Sequence, residues 1–311
     1  MTGTTAMRED LYPSRKGAGP RILEREDRVV YAAWTPGAPL SQEQTRTYGR
    51  DGVLVLENLF TADEIRLLQR EAAQLHRTWE SFKEETAILE PGGQALRSVF
   101  AIHAQNDIFA RLAADARLVK IARFLLRSEI YIHQSRLNYK PGFDGKDFYW
   151  HSDFETWHVE DGMARMRALS MSILLTENFP FNGPTMFIPG SHRRFISCVG
   201  ETPDDHYRSS LRRQEYGVPD RGSLARLAED GILMPTGEAG TTVIFDCNTL
   251  HGSNSNISPF PRSNVFFVYN AAVNRLEAPF GPAMPRPEWV ASRTGIEIIQ
   301  PVEGHLVPDA A

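Results

Sequence analysis

From Ile130 onward the chain keeps returning to short apolar runs closed by turn residues, a rhythm that limits it to folds built from many short strands. "IYIHQSRLNYKPG" alternates like a half-buried strand, and "ALSMSILLTE", "TMFIPG", "TTVIFDC" and "NVFFVYNAAV" follow, each bounded by Gly, Pro, Asn or Asp. Upstream the period changes. "YGRDGVLVLENLFTADEIRLLQREAAQLHRTWE" reads as a β-rich run at Val53 to Leu56 and then a helix opening at Thr61. Glu64 stands three positions on, as in a capping box, and Ile65, Leu68, Ala72 and Leu75 form one apolar face. A second helical pattern, "ARLVKIARFLLR", covers residues 116–127. Residues 1–40, rich in Gly, Pro and charge, read as an irregular arm laid on the body, and the charged stretch 203–232 as an insertion between strands. The expectation is an arm over 1–40 and one domain over 41–311, a β-sandwich or jelly roll whose helices come mostly from the N-terminal third.

Composition removes several classes of function. No apolar run approaches the roughly 20 residues of a membrane span, and the opening "MTGTTAMREDLYPSRKGAGP" has neither the apolar core of a signal peptide nor the acid-poor character of a transit peptide, so a cytoplasmic location is expected. Cys198 and Cys247 are the only cysteines, and they are not arranged as C-x-x-C; any metal must therefore be held by His and carboxylate. A net charge of −5 supplies no field for nucleic acid or an anionic membrane. The one basic cluster, Arg208, Arg212 and Arg213, is interleaved with Glu215 and Asp220 and reads as a solvated helix face.

"FYWHSDFETWH", residues 148–158, contains His151-x-Asp153 and begins a second such pair, His158-x-Glu160. Side chains two apart on a strand point the same way, so each pair offers one imidazole and one carboxylate to a single ion. A distant His would complete the two-His-one-carboxylate triad, which leaves positions open on Fe(II) for cosubstrate and oxygen. Spacing alone is weak: with 39 acids in 311 residues, nine His give about one match by chance, and both pairs remain open on that ground. Downstream, "NTLHGSNSNISPFPRSN" places His251 just beyond a strand end and Arg262 eleven residues later, at the start of another. An Arg so placed can clamp the far carboxylate of a dicarboxylic cosubstrate. Elsewhere, His192 in "PGSH" reads as a structural corner, His103 and His133 as hydrogen-bonded structural residues, and Cys247 as a small apolar one.

His-x-Asp, a distal His and an Arg shortly after it resemble the Fe(II)/2-oxoglutarate dioxygenases, and "GVLVLENLFTADEI" with "NGPTMFIPGSH" resembles their phytanoyl-CoA-dioxygenase-like branch. Within that branch "DLYPSR", "IHQSRLNYKPGF", "YWHSDFETWHVEDGM", "MRALSMSILLTENFPFNGPTMFIPGSH" and residues 251–273 are similar to the ectoine hydroxylases, over about residues 11–300. Ala164 departs from the Pro expected after "EDGM", a turn position bearing on loop stiffness rather than chemistry.

The resemblance implies a mainly β fold with flanking helices, the double-stranded β-helix (jelly roll, cupin-like). It implies His151, Asp153 and His251 as catalytic metal ligands, with His158 and Glu160 as neighbours. It further implies 2-oxoglutarate held by Asn138, Ser253 and Arg262 beside Phe148 and Trp157, and ectoine held by Gln134, Arg136, Trp157, Ser172, Phe266 and Arg286. Fe(II) as cofactor, 2-oxoglutarate and O2 as cosubstrates, 5-hydroxyectoine, succinate and CO2 as products, and a two-fold homodimer come with it. The alternatives are the same cofactors acting on another small amino acid such as proline or on a larger lipid-like acid, and a metal-binding β-barrel that senses a ligand without turnover.

Overall fold

A computed structural model describes residues 9–17, 19–78, 85–204, 207–212, 215–281 and 284–307. Its strands are β1 (Arg21–Glu24), β2 (Val53–Leu56), β3 (Ala87–Leu89), β4 (Leu96–Phe100), β5 (Ile130–Lys140), β6 (Phe148–His151), β7 (Ala168–Leu174), β8 (Thr185–Phe187), β9 (Arg194–Ser197), β10 (Thr242–Asp246), β11 (His251–Ser253) and β12 (Arg262–Ala271). Its helices are α1 (Gln42–Asp51), α2 (Ala62–Arg77), α3 (Ile102–Gln105), α4 (Asp107–Ala113), α5 (Ala116–Leu126), α6 (Asp153–Thr156), α7 (Tyr207–Ser210) and α8 (Arg221–Leu227), and a π-helical turn, Trp157–Asp161, continues α6.

A seven-stranded sheet in the order β2-β10-β7-β12-β5-β4-β3 and a three-stranded sheet, β6-β11-β8, make the jelly roll. Every ladder in both is antiparallel. β5 and β12 are the long central pair, and alternation divides their residues between two environments. Leu137, Val265 and Phe267 enter a core that Ile173 and Met171 of β7 share with Leu118, Val119 and Leu125 of α5 and Leu68 of α2. The intervening residues, polar and aromatic, face the other way.

The strands quoted from the sequence all form, whereas β1, β3, β4, β6, β9 and β11 are too short or too polar to stand out as apolar runs. β1 lies inside the N-terminal arm and pairs with β9 from Arg21↔Ser197 to Glu24↔Arg194, so the arm is not irregular throughout. Between β9 and β10 the stretch 203–232 carries the short helices α7 and α8. Arg208 and Arg212 are exposed there, and Arg213 lies outside the described residues.

The start of α2 ties α5 and the segment around Leu306 together. Thr61 caps the helix, and the Glu64 side chain returns to the Thr61 N–H at 2.7 Å. Glu64 is fully buried and also accepts from Arg117 Nη2 at 2.6 Å and from the Leu306 N–H at 2.9 Å. Burial alone raises its carboxyl pKa, but the Arg117 fork and the two backbone donors outweigh that and bring it down to about 2. A depressed carboxyl pKa contributes stability that is present above the unfolded value near 4.5 and lost as pH falls toward 2. Glu64→Gln is therefore expected to flatten the loss of stability between these pH values, read from urea midpoints. Thr61→Ala is expected to cost about 1 kcal/mol at neutral pH, in the same assay.

Candidate active site

Two short strands and a turn bring His151, Asp153 and His251 together. β6 ends at His151, α6 begins at Asp153, and His251 opens β11 directly across the ladder from His151. Gly252 permits this approach: a Cβ there would lie 3.0 Å from the Phe148 carbonyl oxygen and 3.2 Å from the Trp150 nitrogen. The imidazole centroids are 4.2 Å apart. Asp153 Oδ1 is 3.6 Å from His151 Nε2, and Oδ2 is 3.9 Å from His251 Nε2. One donor atom from each residue lies within 4.8 Å of the others, yet none is close enough to hydrogen-bond to another.

The other ring nitrogens are engaged. His151 Nδ1 is 2.8 Å from the Tyr149 carbonyl and His251 Nδ1 is 3.0 Å from that of Thr249. With Nδ1–H donating to a carbonyl, the Nε2 lone pair of each ring is left for the common point. Burial and the neighbouring His151 push His251 down to about 4, so it is neutral, the form that ligates. Burial works against ionising Asp153, but His251, His151 and Arg136 hold its carboxyl well below the usual range. Two imidazoles with Nε2 turned inward and a carboxylate fit a first-row divalent metal such as Fe(II).

The second His-x-acid pair turns away. His158 Nδ1 is 2.9 Å from the Met163 carbonyl and its Nε2 is 3.0 Å from Asp10 Oδ1, while Glu160 accepts from Arg15 at 2.6 Å. The residues read as structural are likewise away from the triad. His192 Nε2 is 3.4 Å from the Gly49 carbonyl, His103 Nδ1 is 2.6 Å from Ser135 Oγ, and Cys247 is buried in an apolar cluster. His133 differs from the expectation of a hydrogen-bonded residue: among the described residues neither of its nitrogens has a hydrogen-bond partner, and its Nε2 stands 3.6 Å from Asp161.

A cavity of about 110 Å³ lies beside the triad. Its floor is one face of the large sheet: Gln134, Arg136, Asn138 and Lys140, every second residue of β5, flanked by Ser98 and Phe100 of β4 and by Arg262 and Phe266 of β12. One end is cationic. Arg262 sits opposite Lys140 in the ladder. Lys140 Nζ donates to Ser253 Oγ at 2.7 Å and to the Asn254 carbonyl at 2.6 Å. The Asn264 amide, turned so that both its atoms find partners, accepts from Arg262 Nη1 at 2.8 Å, while Arg262 Nε finds no acceptor among the described residues. Arg97, paired with Glu90 at 2.7 Å, lies over the Phe148 ring. Burial and then the Arg97 charge lower Arg262 to about 10, and burial with Arg262 and Arg97 takes Lys140 well below its ordinary value. Such a cluster is relieved by an anion. Asn138 completes the wall, accepting from Ser98 Oγ at 2.9 Å.

The other end is aromatic. The Arg136 guanidinium lies 4.6 Å from the Phe266 centroid and donates to Gln134, whose Nε2 donates in turn to the Val290 carbonyl at 2.7 Å. Trp157 packs edge-on to His133 at 4.9 Å. Arg286 reaches the wall with its fork on Asp161, at 2.9 and 2.5 Å. Ser172 pairs with Phe266 across the ladder on the same sheet face, and it lines an adjoining small recess that shares Thr185 with the cavity. Sequence reasoning missed Lys140, although "HQSRLNYK" places it in phase with Gln134, Arg136 and Asn138. It also missed Arg97, whose strand β4 has no apolar pattern to mark it, and Thr156, Thr185 and Leu211.

The family model "Phytanoyl-CoA dioxygenase (PhyH)" matches residues 48–264. "Ectoine dioxygenase" of Sphingopyxis alaskensis is 59% identical over 300 residues, 96% of this chain and 98% of that one. A crystal structure of EctD from S. alaskensis with 2-oxoglutarate and 5-hydroxyectoine is 54% identical with a TM-score of 0.89, covering 96% of this chain and 100% of that chain. Another, of the same protein with bound Fe, is 53% identical with a TM-score of 0.87 over the same shares. With most of its length matched by the family model and near-complete overlap with such relatives, the chain belongs to the phytanoyl-CoA dioxygenase family.

Proposed function

We propose that this protein is an Fe(II)- and 2-oxoglutarate-dependent dioxygenase that hydroxylates ectoine to 5-hydroxyectoine and releases succinate and CO2. The observation that carries the reading is the placement of the His151–Asp153–His251 cluster beside one cavity that is cationic at one end and aromatic at the other. Relatives crystallised with Fe, and with 2-oxoglutarate and 5-hydroxyectoine, support it.

His151, Asp153 and His251 hold the iron, which supplies reductive activation of O2 coupled to decarboxylation of 2-oxoglutarate. Arg262 and Lys140 bind the far carboxylate of 2-oxoglutarate, with Ser253 fixed by Lys140 and with Asn138, Phe148 and Trp157 as walls. A fork and a point charge together give that carboxylate both direction and affinity. Ectoine, an amidinium ring with a carboxylate, rests between Phe266 and Trp157, and Arg136, oriented by Gln134, meets its carboxylate. Arg286 forms part of that wall through its hold on Asp161. The buried walls exclude water, which keeps the oxidising equivalent on the substrate.

The same reading includes a two-fold homodimer in the cytoplasm. Among the described residues no helix is long and apolar enough to cross a membrane, and light scattering at twice the 35.0 kDa chain mass tests the dimer.

Anaerobic loading with Fe(II), followed by air and 2-oxoglutarate, is expected to yield succinate and hydroxyectoine in equal amounts when ectoine is present. Succinate formed with proline but not with ectoine would replace the substrate. No succinate with any small amino acid, despite bound iron, would leave a ligand sensor. Asp153→Ala is expected to lower turnover by more than about a hundredfold. Arg262→Lys keeps the charge but loses the fork, and is expected to raise KM for 2-oxoglutarate about tenfold or more with a smaller change in kcat, checked by steady-state succinate formation.

A further inference from the structure

The segment "DLYPSR", Asp10 to Arg15, has no part in the cavity, yet its polar side chains converge on residues 153–161. Asp10 meets His158, the Ser14 hydroxyl donates to Glu155 Oε1 at 2.6 Å, and Arg15 forks onto Glu155 through Nε at 3.0 Å and Nη2 at 2.6 Å. Arg15 Nη1 donates to Glu160 and to Thr202 Oγ1, at 2.6 and 2.8 Å. The Tyr12 ring packs edge-on to Phe154, 5.2 Å between centroids.

Residues 153–161 therefore have two faces. Asp153, Thr156 and Trp157 look into the cavity, while Glu155, His158 and Glu160 look into the arm. The widened π-helical turn over Trp157–Asp161 is a form found frequently at functional sites. The side chains of Arg15, Glu155 and Glu160 are 2%, 1% and 2% exposed. Glu160 has a second cation in Arg286 Nε at 3.5 Å, but Glu155 is matched by Arg15, and losing that fork leaves buried charge beside Asp153 that the segment must move to solvate. The chain closes over the contact with Gly217, at φ +68°, where a Cβ would lie 2.3 Å from Glu155 Oε2 and 2.6 Å from Arg15 Nη2.

We propose that Arg15 is a positioning residue of the active site, acting through Glu155 and Glu160 to hold Asp153 against the metal and Trp157 against the substrate. The proposal rests on the dioxygenase reading for what is positioned, but its main test does not need turnover. A plain staple for the arm would act differently: the arm is already fastened by β1 to β9 and by Asp27, whose Oδ2 takes the Tyr12 hydroxyl at 2.8 Å within the arm and the Met166 N–H of the body at 2.9 Å, whereas Arg15 grips the ligand-bearing helix itself.

The experiment titrates apo full-length protein with Co(II) anaerobically, reading visible d–d bands that report ligand geometry, and follows melting by circular dichroism. Arg15→Ala is expected to raise the Co(II) Kd about tenfold or more and to change the band shape, with Arg15→Lys intermediate. Tyr12→Phe, which weakens the arm without touching the two carboxylates, is expected to lower the melting temperature and leave the Co(II) Kd within about twofold of the parent. With ectoine and Fe(II), the ratio of hydroxyectoine to succinate should fall in Arg15→Ala. Parental Co(II) affinity and bands in both folded Arg15 variants would overturn the proposal, as would equal weakening by Tyr12→Phe at equal loss of melting temperature. If Arg15→Ala does not fold, Arg15→Lys, which keeps the neutralising charge, decides alone. An Arg15 effect on Co(II) in a parent protein that makes no hydroxyectoine would sink the substrate reading and leave this one standing.

Discussion

Neutralising charge in the interior is the constraint on which this molecule depends. Arg25 forks onto Asp246 at 2.7 and 3.0 Å, Arg15 joins Glu155 to Glu160, and Arg286 holds Asp161. These pairs are buried, and each joins segments far apart in sequence. A buried pair of this kind contributes little net stability over an apolar replacement, but breaking one partner leaves a charge that the interior cannot solvate. The pairs thus act as registration pins. Arg136, Lys140 and Arg262 are treated differently: among the described residues none has a carboxylate in an ion pair, and burial works against the charge of all three. In the function proposed above, they are the cations whose counter-charge the ligands supply.

The central ladder turns this arrangement into a site. β5 and β12 run antiparallel with Arg262 opposite Lys140 and Phe266 opposite Arg136, so one register sets both ends of the cavity at once. Opposite faces of the same strands fill the core through Leu137, Val265 and Phe267. A slip of one residue would exchange the two sets, burying cations against α5 and turning Phe267 into the cavity. The apolar face thereby enforces the polar one, and stability and ligand geometry share one set of hydrogen bonds.

How much of this was legible in the sequence follows from the same alternation. β5, β7, β10 and β12 announce themselves as apolar runs, and Lys140 could have been read from its phase with Gln134. β6 and β11 have four and three residues, too few for a period to show, so spacing brought the metal question to two His-x-acid pairs and only the motif resemblance chose between them. Ser172, implied by the motif resemblance alone, stands across the ladder from Phe266, and how far along that face the cavity extends is set by packing between sheets, which strand phase does not encode. Arg15 carried no local signal of its contact with Glu155, because the partners lie 140 positions apart and the arm around it has no regular period.

That separation has a bearing on how the protein comes into being. Residues 153–161 receive one set of partners from Asp10–Arg15, among the first described parts of the chain to leave the ribosome, and another from Arg286, among the last. Long-range closures of this kind form late, after local helices and hairpins. A nascent chain can build the helix of Asp153 long before it can lock it in place. Maturation of the segment that carries Asp153 consequently coincides with the closing of these long-range contacts rather than with synthesis of the ligands.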